Sequence, residues 1–166
     1  MANTSVNTRE LIMDMLLALE DSREQSHILL KNVLDKYDYL PVSDKSFIKR
    51  VLTGTLEYRI KLDYIIDCFS KTPVKKMKPV IRNIMRMSVY QLLFMDKVPD
   101  SAVCNEAVKL AGKRGFKGLQ GFVNGVLRGI IRGRDSIKYP DINSSEKEEA
   151  VYGISIACSC PEIVVE

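Results

Sequence analysis

Lys113-Arg-Gly-Phe-Lys-Gly-Leu-Gln-Gly-Phe-Val-Asn-Gly-Val-Leu-Arg-Gly-Ile-Ile-Arg-Gly-Arg134 is the stretch from which the fold is read. Phe116, Leu119, Val123, Val126, Leu127, Ile130 and Ile131 recur at helical spacing and form one apolar stripe. Gly121, Gly125, Gly129 and Gly133 fall four apart and line a helical edge. Each glycine costs about 1 kcal/mol against alanine inside a helix, so a compensating role is expected. Close helix packing is one such role, and presentation of backbone and basic side chains to phosphates is another. The two are compatible, since they use opposite faces. Lys113, Arg114, Lys117, Arg128, Arg132 and Arg134 supply the charge, with no Asp or Glu between Glu106 and Asp135.

The same three- and four-residue apolar spacing runs through the rest of the 166 residues, with few alternating strand-like runs, so an all-α fold is expected. The length suffices for a sizeable core. Net charge is only +4, but it is unevenly spread. The N-terminal part to Asp38 is acidic or balanced, whereas Lys71, Lys75, Lys76, Lys78, Arg82 and Arg86 form a second acid-free tract. Either tract alone could be a solvated face that keeps the domain soluble, but the two together point to a polyanion, nucleic acid. The N-terminus lacks the regions of a secretory signal, no apolar run reaches membrane-spanning length, and four sparse cysteines suggest reduced thiols. A cytoplasmic location and no membrane partner are expected.

Taken in order, Asn7-Thr-Arg-Glu10 opens a first helix with a capping-box pattern. Arg9 sits in its first turn, where a cation gains nothing from the helix dipole. It is a candidate for an outside anion, with a salt bridge to Glu10 or Asp14 as the alternative. A second helix is expected over Ser26–Tyr39, with the lone His27 at its surface or cap. A long helical region capped by Ser43 or Asp44 runs to Lys71, with a bend or division near residue 58. Pro79 opens the next helix, where Arg82, Arg86 and Tyr90 share a face suited either to RNA or to ion pairing with a neighbouring helix. Pro99 and Asp100 start another helix, which Gly115 ends as a left-handed cap. Residues 1–134 therefore read as one helical unit. Residues 135–166 read as a polar linker and a final short helix capped at Ser145, ending as if cut before a further domain.

Catalytic chemistry is hard to find. No phosphate loop, no nucleophile–histidine pair and no second cysteine pair to complement Cys158-x-Cys160 is present, so no metal, cofactor or catalytic residue is expected in this chain. A binding module is the simplest account.

Four blocks follow in order: Asp44-Lys-Ser-Phe-Ile-Lys-Arg-Val-Leu-Thr-Gly-Thr-Leu56, Ile84-Met-Arg-Met-Ser-Val-Tyr-Gln-Leu-Leu93, Val98-Pro-Asp-Ser-Ala-Val-Cys-Asn-Glu-Ala-Val108 and Gly121-Phe-Val-Asn-Gly-Val-Leu-Arg128. Together, across roughly Thr8 to Arg132, they resemble the NusB family of helical RNA-binding domains. The resemblance implies a NusB-like fold of two packed antiparallel helical bundles. One branch of the family is the transcription antitermination factor, which docks on a ribosomal protein and carries several N-terminal arginines for RNA. Only Arg9 matches that cluster. Leu56-Glu-Tyr-Arg59, Asn124-Gly-Val-Leu-Arg128 and the tail Ile154–Glu166 are more similar to the other branch, the N-terminal domain of the RsmB (Sun/Fmu) rRNA cytosine-5 methyltransferases.

That branch implies ribosomal RNA as partner, a following methyltransferase domain, and S-adenosylmethionine as cofactor of the full-length enzyme rather than of this chain. No DNA partner is expected. Lys113, Arg114, Lys117, Arg128 and Arg132 are the expected phosphate contacts, aided by Arg9, Arg82 and Arg86.

Overall fold

The computed structural model describes residues 6–165, which are helical apart from turns and loops. Helix α1 (Thr8–Asp21) starts as its sequence predicts, with the Asn7 side chain accepting the Glu10 N–H at 3.1 Å. Helix α2 (Ser26–Lys36) stops short of the expected Tyr39, and its one fully buried side chain is Leu30. Helix α3 (Val42–Glu57) begins a residue before Ser43, because the Pro41 carbonyl takes the N–H groups of Asp44 and Lys45. The division expected near residue 58 falls on Tyr58, where α3 gives way to α4 (Arg59–Phe69).

Helix α5 (Pro79–Phe94) is the centre of the molecule and touches α1, α3, α4, α6 (Asp100–Lys113) and α7 (Gln120–Gly133). From Ile81 to Leu92 every residue but Arg82 is buried, including Asn83, Arg86, Ser88 and Gln91. A helix surrounded on all sides is a core helix rather than an amphipathic surface one. Helices α1 to α3 pack on one side of it and α4, α6 and α7 on the other, the two-bundle arrangement expected. Close approach of α3 depends on Gly54, where a Cβ would lie 2.0 Å from the Tyr90 ring. That ring is stacked with Phe94 and Tyr58.

Helices α6 and α7 form a hairpin. Gly115 adopts φ 87°, and the Phe116 N–H reaches back to the Ala111 carbonyl at 2.9 Å, the bond that closes a Schellman cap. Val123, Val126, Leu127 and Ile130 of α7 are buried as the stripe predicts. The glycine edge divides. A Cβ on Gly133 would meet Phe69 at 2.5 Å, and one on Gly129 would touch the same ring at 3.7 Å. Gly121 and Gly125 face open space, so packing explains half of the edge and not the other half.

The segment read as a linker is folded back on α4. Arg134 holds the Asp100 carboxylate at 2.9 Å and the Leu92 carbonyl at 3.2 Å. The Tyr64 hydroxyl donates to the Lys138 carbonyl at 2.5 Å. Burial, with Cys68 adding, pushes that phenol up to about 12. Helix α8 (Lys147–Cys158) packs on α4, and its start is braced by Ser144, not Ser145, through the Glu146 N–H and the Glu149 carboxylate. Ser159, at φ 53°, accepts the N–H groups of Ile60 and Lys61 at 3.1 and 3.3 Å. These are first-turn donors of α4, which has no side-chain cap of its own. A short α9 (Glu162–Val165) follows.

Candidate nucleic-acid interface

The eight expected cations fall into three groups. Arg82 and Arg86 belong to an internal network, because α5 is a core helix and their outward face meets α1 and α4. Arg86 is 9% exposed and grips Asp63 with two bonds of 2.6 and 2.7 Å, while a third reaches Glu20 at 3.0 Å. Arg82 holds the same Glu20 at 2.8 Å. Burial alone would raise the Glu20 carboxyl, but hydrogen bonding and charge from Arg82, with charge from Arg86, hold it below its ordinary value. Of the two alternatives open for this face, Arg82 and Arg86 take the ion-pairing one, and Tyr90 is packed against Tyr58 and Phe94.

Arg9, Lys113 and Arg114 are tied to their surroundings where α1 meets the end of α6. Arg9 donates to the Gln91 side chain at 3.0 Å and lies 5.0 Å from the Phe47 ring centroid, rather than pairing with Glu10 or Asp14. Burial lowers its affinity for a proton, with Glu106 partly offsetting this. Lys113 bonds Glu10 at 2.5 Å, and Arg114 bonds Asp14 with Glu10 at 3.5 Å. The acids of α1 thus offset charge that the local tract leaves unmatched. Helix–helix ion pairs of this kind, about 100 residues apart in sequence, give no local signal.

Lys117, Arg128 and Arg132 form the third group. All three are exposed and have no acidic partner among the described residues. Arg128 is steadied by the Asn124 carbonyl oxygen at 3.0 Å, one turn back. Gly121, Gly125, Arg128 and Arg132 share the solvent face of α7, where the two open glycines leave a ridge without side-chain bulk. Beside it lie two shallow grooves against α6, of about 390 and 330 Å³, which meet at Arg128. Cys104 in the second groove is held protonated by burial, with Arg128 pulling the other way, so it is no nucleophile in waiting. Asn124 was not anticipated, although its place four before Arg128 is the spacing at which helix side chains meet.

The other basic tract retains its four lysines on the surface. Lys71, Lys75, Lys76 and Lys78 are exposed and form no ion pair among the described residues.

The sequence profile of the NusB family matches residues 6–132. The chain belongs to the NusB family. A NusB from Thermotoga maritima ("T. maritima NusB, P3121, Form 2") superposes with a TM-score of 0.68 at 25% identity, over 86% of this chain and 94% of that one. A crystal structure of "Antitermination Factors NusB and NusE in complex with dsRNA" gives a TM-score of 0.68 at 22% identity, over 76% and 94%. Among sequence relatives, a probable ribosomal RNA small subunit methyltransferase B of Bacillus subtilis is 39% identical over 80% of this chain. This NusB-family chain covers only 29% of that relative's length. The transcription antitermination protein NusB of Geobacter sulfurreducens is 33% identical over 72% of this chain and 87% of its own.

Proposed function

We propose that this chain is the RNA-binding N-terminal domain of an rRNA (cytosine-5) methyltransferase, and that it helps to position small-subunit rRNA for S-adenosylmethionine-dependent methylation. The observation that carries the RNA reading is a set of exposed cations without acidic partners, Lys117 in the turn before α7 and Arg128 and Arg132 on α7, beside backbone left bare at Gly121 and Gly125. The methyltransferase reading draws on the Bacillus relative at 39% identity, which is more than twice as long as the part matched here. It also draws on the N-terminus, where the one matching arginine, Arg9, is engaged by Gln91 and Phe47 instead of standing free. Catalysis and the cofactor would belong to a separate methyltransferase region, in the cytoplasm. The contribution of this domain is affinity, since phosphate contacts position a nucleic acid without reading its sequence.

A second reading, an antitermination factor that binds RNA together with a ribosomal protein, is favoured by the match to nearly the full length of NusB relatives. Salt-series filter binding with small-subunit rRNA fragments tests the first. Arg128→Gln/Arg132→Gln should lower the slope of log affinity against log salt by about 1.5, the loss of two phosphate contacts. An unaltered slope would overturn the ridge. Stoichiometric capture of a NusE-type ribosomal protein by this chain would move the assignment to the second reading.

A further inference from the structure

Between α4 and α5 the chain makes a short anchored loop whose only charged residues are lysines. Val74 and Met77 sink into the core, at 2% and 6% exposure. A single 3-10 turn, Val74–Lys76, joins them, closed by the Lys76 N–H on the Pro73 carbonyl at 2.9 Å and the Met77 N–H on Val74 at 3.0 Å. The Val74 N–H is taken by Asp67 at 2.8 Å, Ser70 and Thr72 bond to each other, and Pro73 and Pro79 restrict the chain at both ends. With Val74 and Met77 fixed inward, Lys71, Lys75, Lys76 and Lys78 are held outward.

Fold stability does not account for them. Lys78 is the N-cap residue of α5, whose first turn contains no acid, so it stands at the positive end of a helix dipole. Cations there are unfavourable by about 0.3–1 kcal/mol at low salt, and four neighbouring like charges repel one another. A polyanion relieves both penalties. The loop also leaves α4 directly after Phe69, whose ring lies across Gly129 and Gly133 of α7. Phe69 thus sets the start of the loop beside the end of α7, with Lys71 two residues after that ring and Arg132 next to Gly133 in sequence.

We infer that the Lys71–Lys78 loop is a second phosphate-holding surface for RNA, continuous with the α7 ridge across the Phe69 seam. This rests on the RNA reading above. A lipid surface fits less well, because membrane-bound faces combine basic residues with inserted apolar ones. The exposed large apolar side chains of this chain, Tyr39 and Val42 foremost, lie outside the loop.

The test is a four-fold substitution, Lys71→Gln, Lys75→Gln, Lys76→Gln and Lys78→Gln, with a 30-nucleotide single-stranded RNA as probe, titrated by filter binding between 50 and 200 mM salt. The slope should fall by about 3 and affinity at 0.1 M salt on the order of a hundredfold, while Lys→Arg at the same four positions retains both. An unchanged slope, with Arg128→Gln/Arg132→Gln still lowering it, would overturn the loop and leave the RNA reading standing. No salt-dependent RNA binding by the unsubstituted chain would overturn both. Loss of binding to phosphatidylserine vesicles with RNA affinity intact would replace RNA by a membrane as the partner of the loop.

Discussion

Replacing Arg86 by alanine separates architecture from binding. Its guanidinium makes three charge-assisted bonds, two to Asp63 and one to Glu20, from a side chain that is 11% exposed. Removing one partner of a buried ion pair costs about 3–5 kcal/mol, because the remaining charge is left uncompensated. Here the carboxylates are 29% and 22% exposed, and Arg82 still holds Glu20, so water and a second arginine recover part of that loss. A cost of about 2–3 kcal/mol is expected, a fall in Tm of roughly 5–10 °C for a chain of this size. Thermal unfolding followed by circular dichroism measures it, and the RNA salt slope of the folded variant should be unchanged. Arg132→Gln should do the opposite, leaving Tm nearly unmoved and lowering the slope. Pairing Arg86→Met with Asp63→Leu should recover much of the stability, since an apolar pair can replace a buried ionic one. An unshifted Tm for Arg86→Ala, together with weakened RNA binding, would refute this division and return Arg86 to the interface.

Gly54→Ala should destabilise the chain by about 1–3 kcal/mol in urea unfolding, since its methyl group meets the stacked Tyr90 ring. Gly125→Ala, in open space, should stabilise by up to about 1 kcal/mol, and similar effects at both sites would contradict the packing described. The depressed Glu20 carboxyl contributes stability that is complete above the ordinary glutamate value of about 4.3 and lost as pH falls through its lower folded value. The Tm gap between the parent chain and Glu20→Gln should accordingly shrink in acid, and a constant gap down to pH 3 would refute that linkage. Ser159→Gly removes the oxygen that caps α4 while easing the positive φ. It should quicken amide exchange at Ile60 and Lys61 and hasten proteolysis after residue 136, and unaltered exchange at those two amides would count against the cap.

Helix positions were legible because burial repeats every three to four residues, and the breaks at Tyr58 and Gly115 were marked by locally unusual sequence. What each helix faces was much less so. Arg82, Arg86 and Tyr90 look alike from within α5 whether the far side holds water or two more helices. The decision rests with Glu20 and Asp63, whose places are set by the packing of α1 and α4. The glycine edge was ambiguous for the same reason. One aromatic ring, Phe69, occupies half of it, and no local pattern in α7 names that neighbour. The docking of the tail is equally hidden from local sequence, since its composition is polar and a single serine at an unusual φ ties it to the first turn of α4.

Ion pairing across helices divides the two basic tracts. In sequence the charges at both ends of the Lys113–Arg134 stretch are equivalent, six cations with nothing opposing them nearby. In the fold Glu10 and Asp14 reach the leading pair, so part of that charge is spent holding α1 against α6. Lys117, Arg128 and Arg132 keep theirs, and so do the four loop lysines across Phe69. Unmatched charge costs a folded chain a little repulsion and returns no packing. Its survival on two surfaces, one of them beside the bare backbone of Gly121 and Gly125, is better explained by a phosphate backbone than by the requirements of the fold.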